Sequence, residues 1–145
     1  MGTAQEGLRD LLRDLVAPAL RAQGLKGTAG KYHLPDPNHF ALVEWQRNTH
    51  STSEELTFTV NLMVMKRSTW KDRTADGKFR LKVPVAGIYG WGEWEERIGF
   101  LMPEHRDIWW PVRAGEDSSE VGRSVVEALT RWGLPALRSH LHEDG

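Results

Sequence analysis

Residues 56–65 read LTFTVNLMVM, and the alternation in this segment decides the fold. Apolar residues return at every second position, which is the period of a β-strand. The side chains divide between two faces, with Leu56, Phe58, Val60, Leu62 and Val64 on one and Thr57, Thr59, Asn61, Met63 and Met65 on the other. The segment therefore predicts a long strand with one wholly apolar face.

The segment before it, HFALVEWQR at residues 39–47, predicts a second strand. Its apolar residues occupy both faces, which is typical of a central strand covered on two sides. Residues 48–55 between the two strands are polar and turn-like, so the pair is predicted to be antiparallel. Shorter strands are predicted at residues 32–34, 97–102 and 107–112. Pro111 indicates an edge position for the last of these, because proline cannot donate a hydrogen bond to a neighbouring strand.

Helices are predicted at both ends of the chain. Residues 5–23 carry Leu and Val at spacings of three and four, which indicates an amphipathic helix that ends at Gly24. Residues 121–132 repeat apolar side chains in the same way, and Gly133 is predicted to end that helix. Residues 134–141 predict a last short helix. The order indicates an α+β fold, an antiparallel sheet of about four to five strands with the N-terminal helix and C-terminal helices packed on one face.

The chain is predicted to form a single α+β domain, residues 1–145, with an excursion at residues 66–94. Residues 66–82 hold seven basic side chains against two acidic ones. Residues 83–94 hold Pro84 and three glycines among bulky side chains. The excursion is therefore predicted to be irregular, first basic and then glycine-rich.

Length and composition exclude several classes of protein. With 145 residues, 19 Lys and Arg, and 20 Asp and Glu, the net charge of -1 gives no overall argument for nucleic acid or an anionic membrane. No apolar run reaches the roughly 18 residues of a membrane span. Residues 1–20 lack the apolar core of a signal peptide, so a cytoplasmic location is expected. Cys is absent, which excludes disulfides and thiolate metal sites, and no metal or other cofactor is predicted.

Five short blocks, taken in their order, resemble one bacterial family. They are Glu44-Trp45-Gln46-Arg47-Asn48, Phe58-Thr59-Val60-Asn61-Leu62, Arg97-Ile98-Gly99, Asp107-Ile108-Trp109-Trp110 and Gly133-Leu134-Pro135. Together with the opening helix they are similar to domain of unknown function 4304 (DUF4304). The resemblance implies a small single-domain bacterial protein and supplies no catalytic residues. The excursion at residues 66–94 matches the family pattern least.

Seven Trp residues are the main candidates for binding. Trp109 and Trp110 are adjacent, so on a strand one belongs to the core and the other meets a helix, a pocket or a partner. Trp45, Gln46 and Arg47 offer a stacking surface, an amide and a guanidinium to an anionic or planar ligand. The alternative is a strand end that pairs with nearby glutamates.

An acidic run lies between two further tryptophans. Two close carboxylates can act as general acid and general base, so Glu93 and Glu95 are the catalytic candidates. The alternative for this run is a solvated surface. An aromatic pocket at this point would be lined by Trp45, Arg47, Trp91, Trp94, Arg97 and Trp109.

Two functions fit these residues. The first is a non-enzymatic binding protein, a protein-partner module of the immunity or adaptor type, with an exposed Trp patch. The alternative is a small-molecule-binding protein or a metal-independent enzyme that holds an aromatic or anionic ligand in a Trp-lined pocket. Because the sequence has no recognisable catalytic motif, we expect a protein that catalyses no reaction. Nucleic acid at residues 66–82 and a membrane are not the expected partners, and the protein is expected to be a monomer or homodimer.

Overall fold

The structure is a computed structural model and describes residues 2–142. Six strands in this range form one sheet: β1 (Lys26–Thr28), β2 (Lys31–His33), β3 (His39–Arg47), β4 (Glu55–Lys66), β5 (Trp94–Arg97) and β6 (Trp110–Arg113). Neighbours follow the order β1-β2-β3-β4-β5, and β6 also pairs with β4. All pairs are antiparallel.

The long pair β3–β4 forms the centre of the sheet. Its register runs from His39 opposite Lys66 to Arg47 opposite Phe58. On its other edge β4 pairs first with β6 and then with β5, so the two short strands share that edge. The sequence prediction of an antiparallel central pair is confirmed.

The helices within residues 2–142 are α1 (Ala4–Leu11), α2 (Ala17–Ala22), α3 (Arg67–Arg73), α4 (Ser119–Ala128) and α5 (Leu134–His142). A π-helical turn at Leu12–Val16 joins α1 to α2, and another at Leu129–Gly133 joins α4 to α5. Each turn precedes a proline, Pro18 or Pro135, by two residues. Because proline has no N–H for the usual bond, the helix widens locally instead of ending.

The two faces of the sheet have different covers. On the helix face, the alternating residues of β4 from Leu56 to Val64 are at most 1% exposed and pack against both helical ends of the chain. The opposite face, here called the excursion face, carries Met63 and Met65, which pack with Leu42 and with residues of the excursion. The predicted α+β fold, with helices at both chain ends on one face, is confirmed.

Several local predictions are wrong. Gly133 does not end a helix, since it lies buried within a continuous one, and a β-carbon there would lie 2.9 Å from Ile98 Cδ1. The predicted strand at 97–102 is instead the end of β5 followed by a 3₁₀ turn at Ile98–Leu101. A β-carbon on Gly99 would lie 2.1 Å from the carbonyl oxygen of Arg106, so this glycine permits close backbone packing. Strand β1 and helix α3 are not predicted from the sequence at all.

Candidate functional site

The predicted site residues lie on both faces of the sheet and do not form one pocket. Trp45 and Trp110 stack on either side of Phe58 on the helix face, with ring centroids 6.1 and 5.7 Å from it. Trp94 lies on the same face and stacks on His140 of α5 at 4.3 Å. These three indoles therefore pack with the helical layer and do not form a surface patch.

The adjacent tryptophans have different surroundings, and only Trp110 lies in a strand. Trp110 is 7% exposed, and its Nε1 donates to Ser124 Oγ at 3.2 Å. Trp109 is half-buried, and the Arg97 guanidinium carbon lies 5.3 Å from its ring centroid. One indole of the pair thus belongs to the core, while the other packs against a charged side chain.

Gln46 and Arg97 belong to a polar network on the excursion face. Gln46 Oε1 accepts from Asn61 Nδ2 at 2.9 Å and from Arg97 Nη2 at 3.3 Å. Arg97 Nη1 also donates to Asp107 at 2.8 Å. Since these groups satisfy one another, the network holds β3, β4 and β5 in register. Arg47 is exposed at the end of β3 and lies apart from this network.

Trp91 forms part of a cluster of four rings that covers the excursion face. Trp70, Phe79, Tyr89 and Trp91 all contact one another, with centroid distances from 4.8 to 6.2 Å. Tyr89 and Trp91 form the closest pair and are stacked, while the remaining pairs are tilted or edge-on. Such contacts stabilise a fold by about 0.5–1.5 kcal/mol per pair beyond the burial of area. The cluster gives a segment with little regular structure its own small core.

The two glutamates predicted as catalytic candidates support the excursion. Glu93 accepts from the backbone N–H of Lys66 at 2.7 Å and from Thr69 Oγ1 at 2.5 Å, so it holds the first turn of α3. Burial raises the pKa of Glu95, while the backbone N–H of Gly87 acts in the opposite direction. The two carboxylates thus engage different parts of the excursion, and neither is paired with the other.

Further polar contacts attach the excursion to the sheet. Glu44 is 8% exposed, and its Oε1 accepts from the backbone N–H of Ala86 at 2.9 Å. Burial raises the pKa of Glu44, although that hydrogen bond and the charge of Lys31 lower it in part. Trp70 Nε1 donates to the carbonyl of Lys82 at 3.2 Å. The path of residues 67–94 is therefore defined by specific hydrogen bonds as well as by the rings.

The outer edge of the excursion is the most apolar surface of the described chain. All the large apolar side chains that are exposed between residues 2 and 142 lie here: Phe79, Leu81, Val83 and Ile88. Leu81 is 52%, Val83 55% and Ile88 67% exposed. Residues 78–83 read KFRLKV, so Phe79, Leu81 and Val83 alternate with basic side chains. We call residues 78–83 with Ile88 the basic apolar rim.

A groove separates the basic apolar rim from strands β2 and β3. Leu81, Val83 and Pro84 form one wall, while Leu34 and Phe40 contribute to the opposite side. Its volume is about 310 Å³. Arg67 crosses one end, where its guanidinium lies 4.4 Å from the Phe40 ring centroid. The apolar surface of the rim therefore continues into a concave site.

The basic side chains of the excursion keep their charge available. The acidic residues at 91–107 could neutralise them, but the structure shows no such ion pair within the described range. Lys78 lies 4.0 Å from Asp76, and Arg73 contacts the face of Trp91. Lys71, Arg80 and Lys82 form no ion pair with any described residue.

The apolar rim and the four-ring cluster were missed by sequence reasoning. Phe79 and Trp70 are noticeable in the sequence only as aromatic residues among basic ones. The signal that could have found the rim is the alternation of residues 78–83, KFRLKV, which lies outside any predicted strand. No group of three or more His, Asp or Glu that could hold a metal occurs among residues 2–142. In that range no helix is long and apolar enough to cross a membrane.

Comparison with known proteins assigns the chain to a family. No curated protein and no solved structure matches it significantly. One family model, described as a domain of unknown function (DUF4304), matches residues 16–139. The match covers most of the 145 residues and agrees with the resemblance carried by the five sequence blocks. The chain therefore belongs to the DUF4304 family.

Proposed function

We propose that this protein is a non-enzymatic binding module that docks a protein segment on the basic apolar rim. The observation that carries the proposal is the confinement of every exposed large apolar side chain in residues 2–142 to positions 79–88. Large apolar side chains exposed together on a soluble protein mark contact sites, because covering them removes apolar area from water.

The charge of the rim selects the chemistry of the partner. Lys78, Arg80 and Lys82 interleave with the apolar residues, and the excursion as a whole is strongly basic. A segment that carries both acidic and apolar side chains complements this surface. Complementary charge favours rapid encounter and register, while the apolar contacts slow dissociation. The groove beside Phe40 gives such a segment a place for one apolar anchor.

The roles of the glutamates support a binding module over an enzyme. Glu93 is engaged by the backbone and a hydroxyl of α3, and Glu44 by the backbone of Ala86. Both carboxylates hold the segment that presents the rim. An immunity or adaptor protein is one form of such a module, and the proposal places it in the cytoplasm of a bacterium.

Photocrosslinking in the native host tests the proposal. A benzoylphenylalanine at Leu81, which is half exposed on the rim, is expected to crosslink to one protein through an acidic and apolar segment. The same probe at Ser139, exposed on α5, is the positional control and is expected not to capture that protein. Mass spectrometry of the crosslinked peptide identifies the segment.

Charge reversal separates the rim from general charge effects. The variant R80E/K82E is expected to lose the crosslink from position 81. The matched variant R106E/R123E makes the same change in net charge at exposed sites elsewhere and is expected to keep it. A crosslink to nucleic acid, to a second copy of this chain, or to nothing would overturn the proposal.

A further inference from the structure

A second concave site lies on the helix face of the sheet, opposite to the face that the excursion covers, and is built from arginines. It lies where the first helix crosses the turn between β1 and β2 and the end of β3. Its charged lining consists of Arg9, Arg13, Arg21 and Arg47, and no carboxylate belongs to the lining. The cavity measures about 300 Å³. Four guanidinium groups around one small cavity strongly favour an anion.

Solvent-exposed contacts hold these arginines only loosely. Arg9 lies 3.8 Å from Asp10. Arg13 donates to Asp14 from Nε at 2.8 Å and from Nη2 at 3.1 Å, and its Nη2 also lies 3.4 Å from Asp10. Ion pairs between exposed side chains contribute about 0–1 kcal/mol, so a ligand with several charges competes with them readily. Arg9 and Arg13 can therefore exchange these exposed partners for a ligand with several charges.

The other two arginines are still less committed. Arg21 donates one hydrogen bond, from Nη2 to the carbonyl of Gly27 at 3.1 Å. The side chain of Arg47 makes no hydrogen bond or ion pair with any residue between 2 and 142, although its backbone ends a central strand. Its guanidinium therefore has all its donors free for a ligand.

A π-helical turn and a hairpin turn form the backbone on two sides of the cavity. The π-helical turn at Leu12–Val16 supplies Leu12 and Arg13 to the lining. Across the cavity, Ala29 has φ of 55° in the tight turn between β1 and β2. Gly30 beside it has φ of 84°, and positive φ at both residues is the geometry of a two-residue hairpin turn.

Apart from Thr28, the remaining lining is apolar. Leu12, Ala17 and the methyl group of Ala29 lie between the charged groups. A bare ion would leave these side chains without contact, whereas a ligand with a compact apolar part would cover them. The cavity therefore combines a surplus of charge with a small surface for a ring or alkyl group.

We propose that this arginine pocket binds a small molecule that carries two or more phosphate groups and a compact apolar portion. Phosphate suits the site because each guanidinium offers two parallel donors to its oxygens. Arg21 and Arg47 have no carboxylate partner among residues 2–142, so at least two positive charges remain for a ligand to balance. The small volume and the position between helix and turn favour a free metabolite over a polymer backbone. The proposal is independent of protein docking on the basic apolar rim.

Isothermal titration at physiological ionic strength tests the proposal with three probes. Inorganic triphosphate supplies the charge alone, ATP supplies charge with an apolar ring, and a single-stranded oligonucleotide supplies a phosphate polymer. The expected order of affinity for the wild-type protein is ATP above triphosphate above oligonucleotide. Binding is expected to weaken as salt is raised, because part of it is electrostatic.

Variants locate the binding. Arg47→Gln is expected to weaken ATP binding about tenfold, in line with the loss of one charge-assisted hydrogen bond. Arg106→Gln removes the same charge from an exposed site elsewhere and is expected to leave the affinity unchanged. The R80E/K82E variant is expected to bind ATP normally, which separates this site from the rim. No binding of ATP or triphosphate, equal loss in Arg47→Gln and Arg106→Gln, or tighter binding of the oligonucleotide would overturn the proposal.

Discussion

The two faces of the sheet are covered by different means. The helix face is filled by regularly spaced aliphatic and aromatic residues of β4, matched by the apolar sides of helices from both chain ends. The excursion face is covered over part of its area by α3, by four aromatic rings and by a segment without regular structure. The first cover depends on periodicity, whereas the second depends on individual contacts.

The difference shows where the molecule can change without losing its fold. The helix face holds the ends of the chain together, so damage there affects every element. The excursion is attached through Glu93, Glu44 and Trp70, each of which forms a hydrogen bond to it or within it. Segments held by a few such contacts open locally at lower free energy than the core. The outer surface of this segment can therefore vary while the sheet stays intact.

The largest expected effect comes from truncation on the helix face. Phe58→Ala removes a fully buried ring that stacks with Trp45 on one side and Trp110 on the other. We expect the free energy of unfolding to fall by about 3–5 kcal/mol, since the cavity cannot close without moving both indoles. Urea denaturation followed by circular dichroism measures the change.

A second Phe→Ala variant, outside the core, is the control for Phe58→Ala. Phe100→Ala removes the same atoms from a half-buried ring that packs edge-on against His105. Its expected cost is about 1 kcal/mol, because less apolar area is lost. Equal losses for the two variants would contradict the assignment of the helix face as the main core.

A smaller and more local effect is expected on the excursion face. Trp70→Ala removes the ring that contacts three others, together with the hydrogen bond to Lys82. The global free energy of unfolding is expected to fall by about 2 kcal/mol, less than for Phe58→Ala, because the segment can open alone.

Hydrogen exchange distinguishes local opening from global loss. In Trp70→Ala the amides of residues 67–94 are expected to lose protection while those of β3 and β4 keep it. Phe58→Ala is expected to reduce protection throughout the chain instead. If Trp70→Ala reduces protection equally in all elements, the two faces form one cooperative unit and the comparison fails.

The periodic parts of the fold could be predicted from the sequence. Residues 39–47 and 56–65 carry apolar residues with the period of a strand. Their apolar face needs a cover, which the amphipathic helices at both ends of the chain supply. The positions where the helices end are harder to predict. Gly133 has the sequence features of a helix end, but in the structure it allows close packing against Ile98 within a continuous helix. Helix propensity does not decide the structure where a tertiary contact leaves no room for a side chain.

The candidate site could be predicted only in part. Trp109 and Trp110 have different surroundings, but Trp109 precedes β6, so strand alternation does not account for its direction. The grouping of Trp45 with Trp91 in one pocket is wrong, because the sheet separates them. Neither the four-ring cluster nor the arginine pocket has a periodic signature. Both arise where distant segments meet, and a single sequence carries no direct record of such contacts.

The smallest expected effect concerns Glu44, whose carboxylate accepts a hydrogen bond from the excursion. Burial raises the pKa of Glu44 above its ordinary value of 4.5. The folded protein then binds this proton more tightly than the unfolded chain does, so stability falls as pH rises from the ordinary value through the raised one. In Glu44→Gln the side-chain oxygen can still accept from the Ala86 N–H, while the cost of a buried charge is gone.

Thermal unfolding across pH measures this contribution. Glu44→Gln is expected to have a higher Tm than the wild type at pH 7, and the difference is expected to shrink as pH falls towards 4.5. Glu104→Gln, an exposed carboxylate in a turn, is the control and is expected to leave the Tm and its pH dependence unchanged. A lower Tm for Glu44→Gln at pH 7 would mean that attraction to Lys31 outweighs the cost of burial. The excursion would then be attached by charge as well as by hydrogen bonds, and its hold on the sheet would weaken in salt.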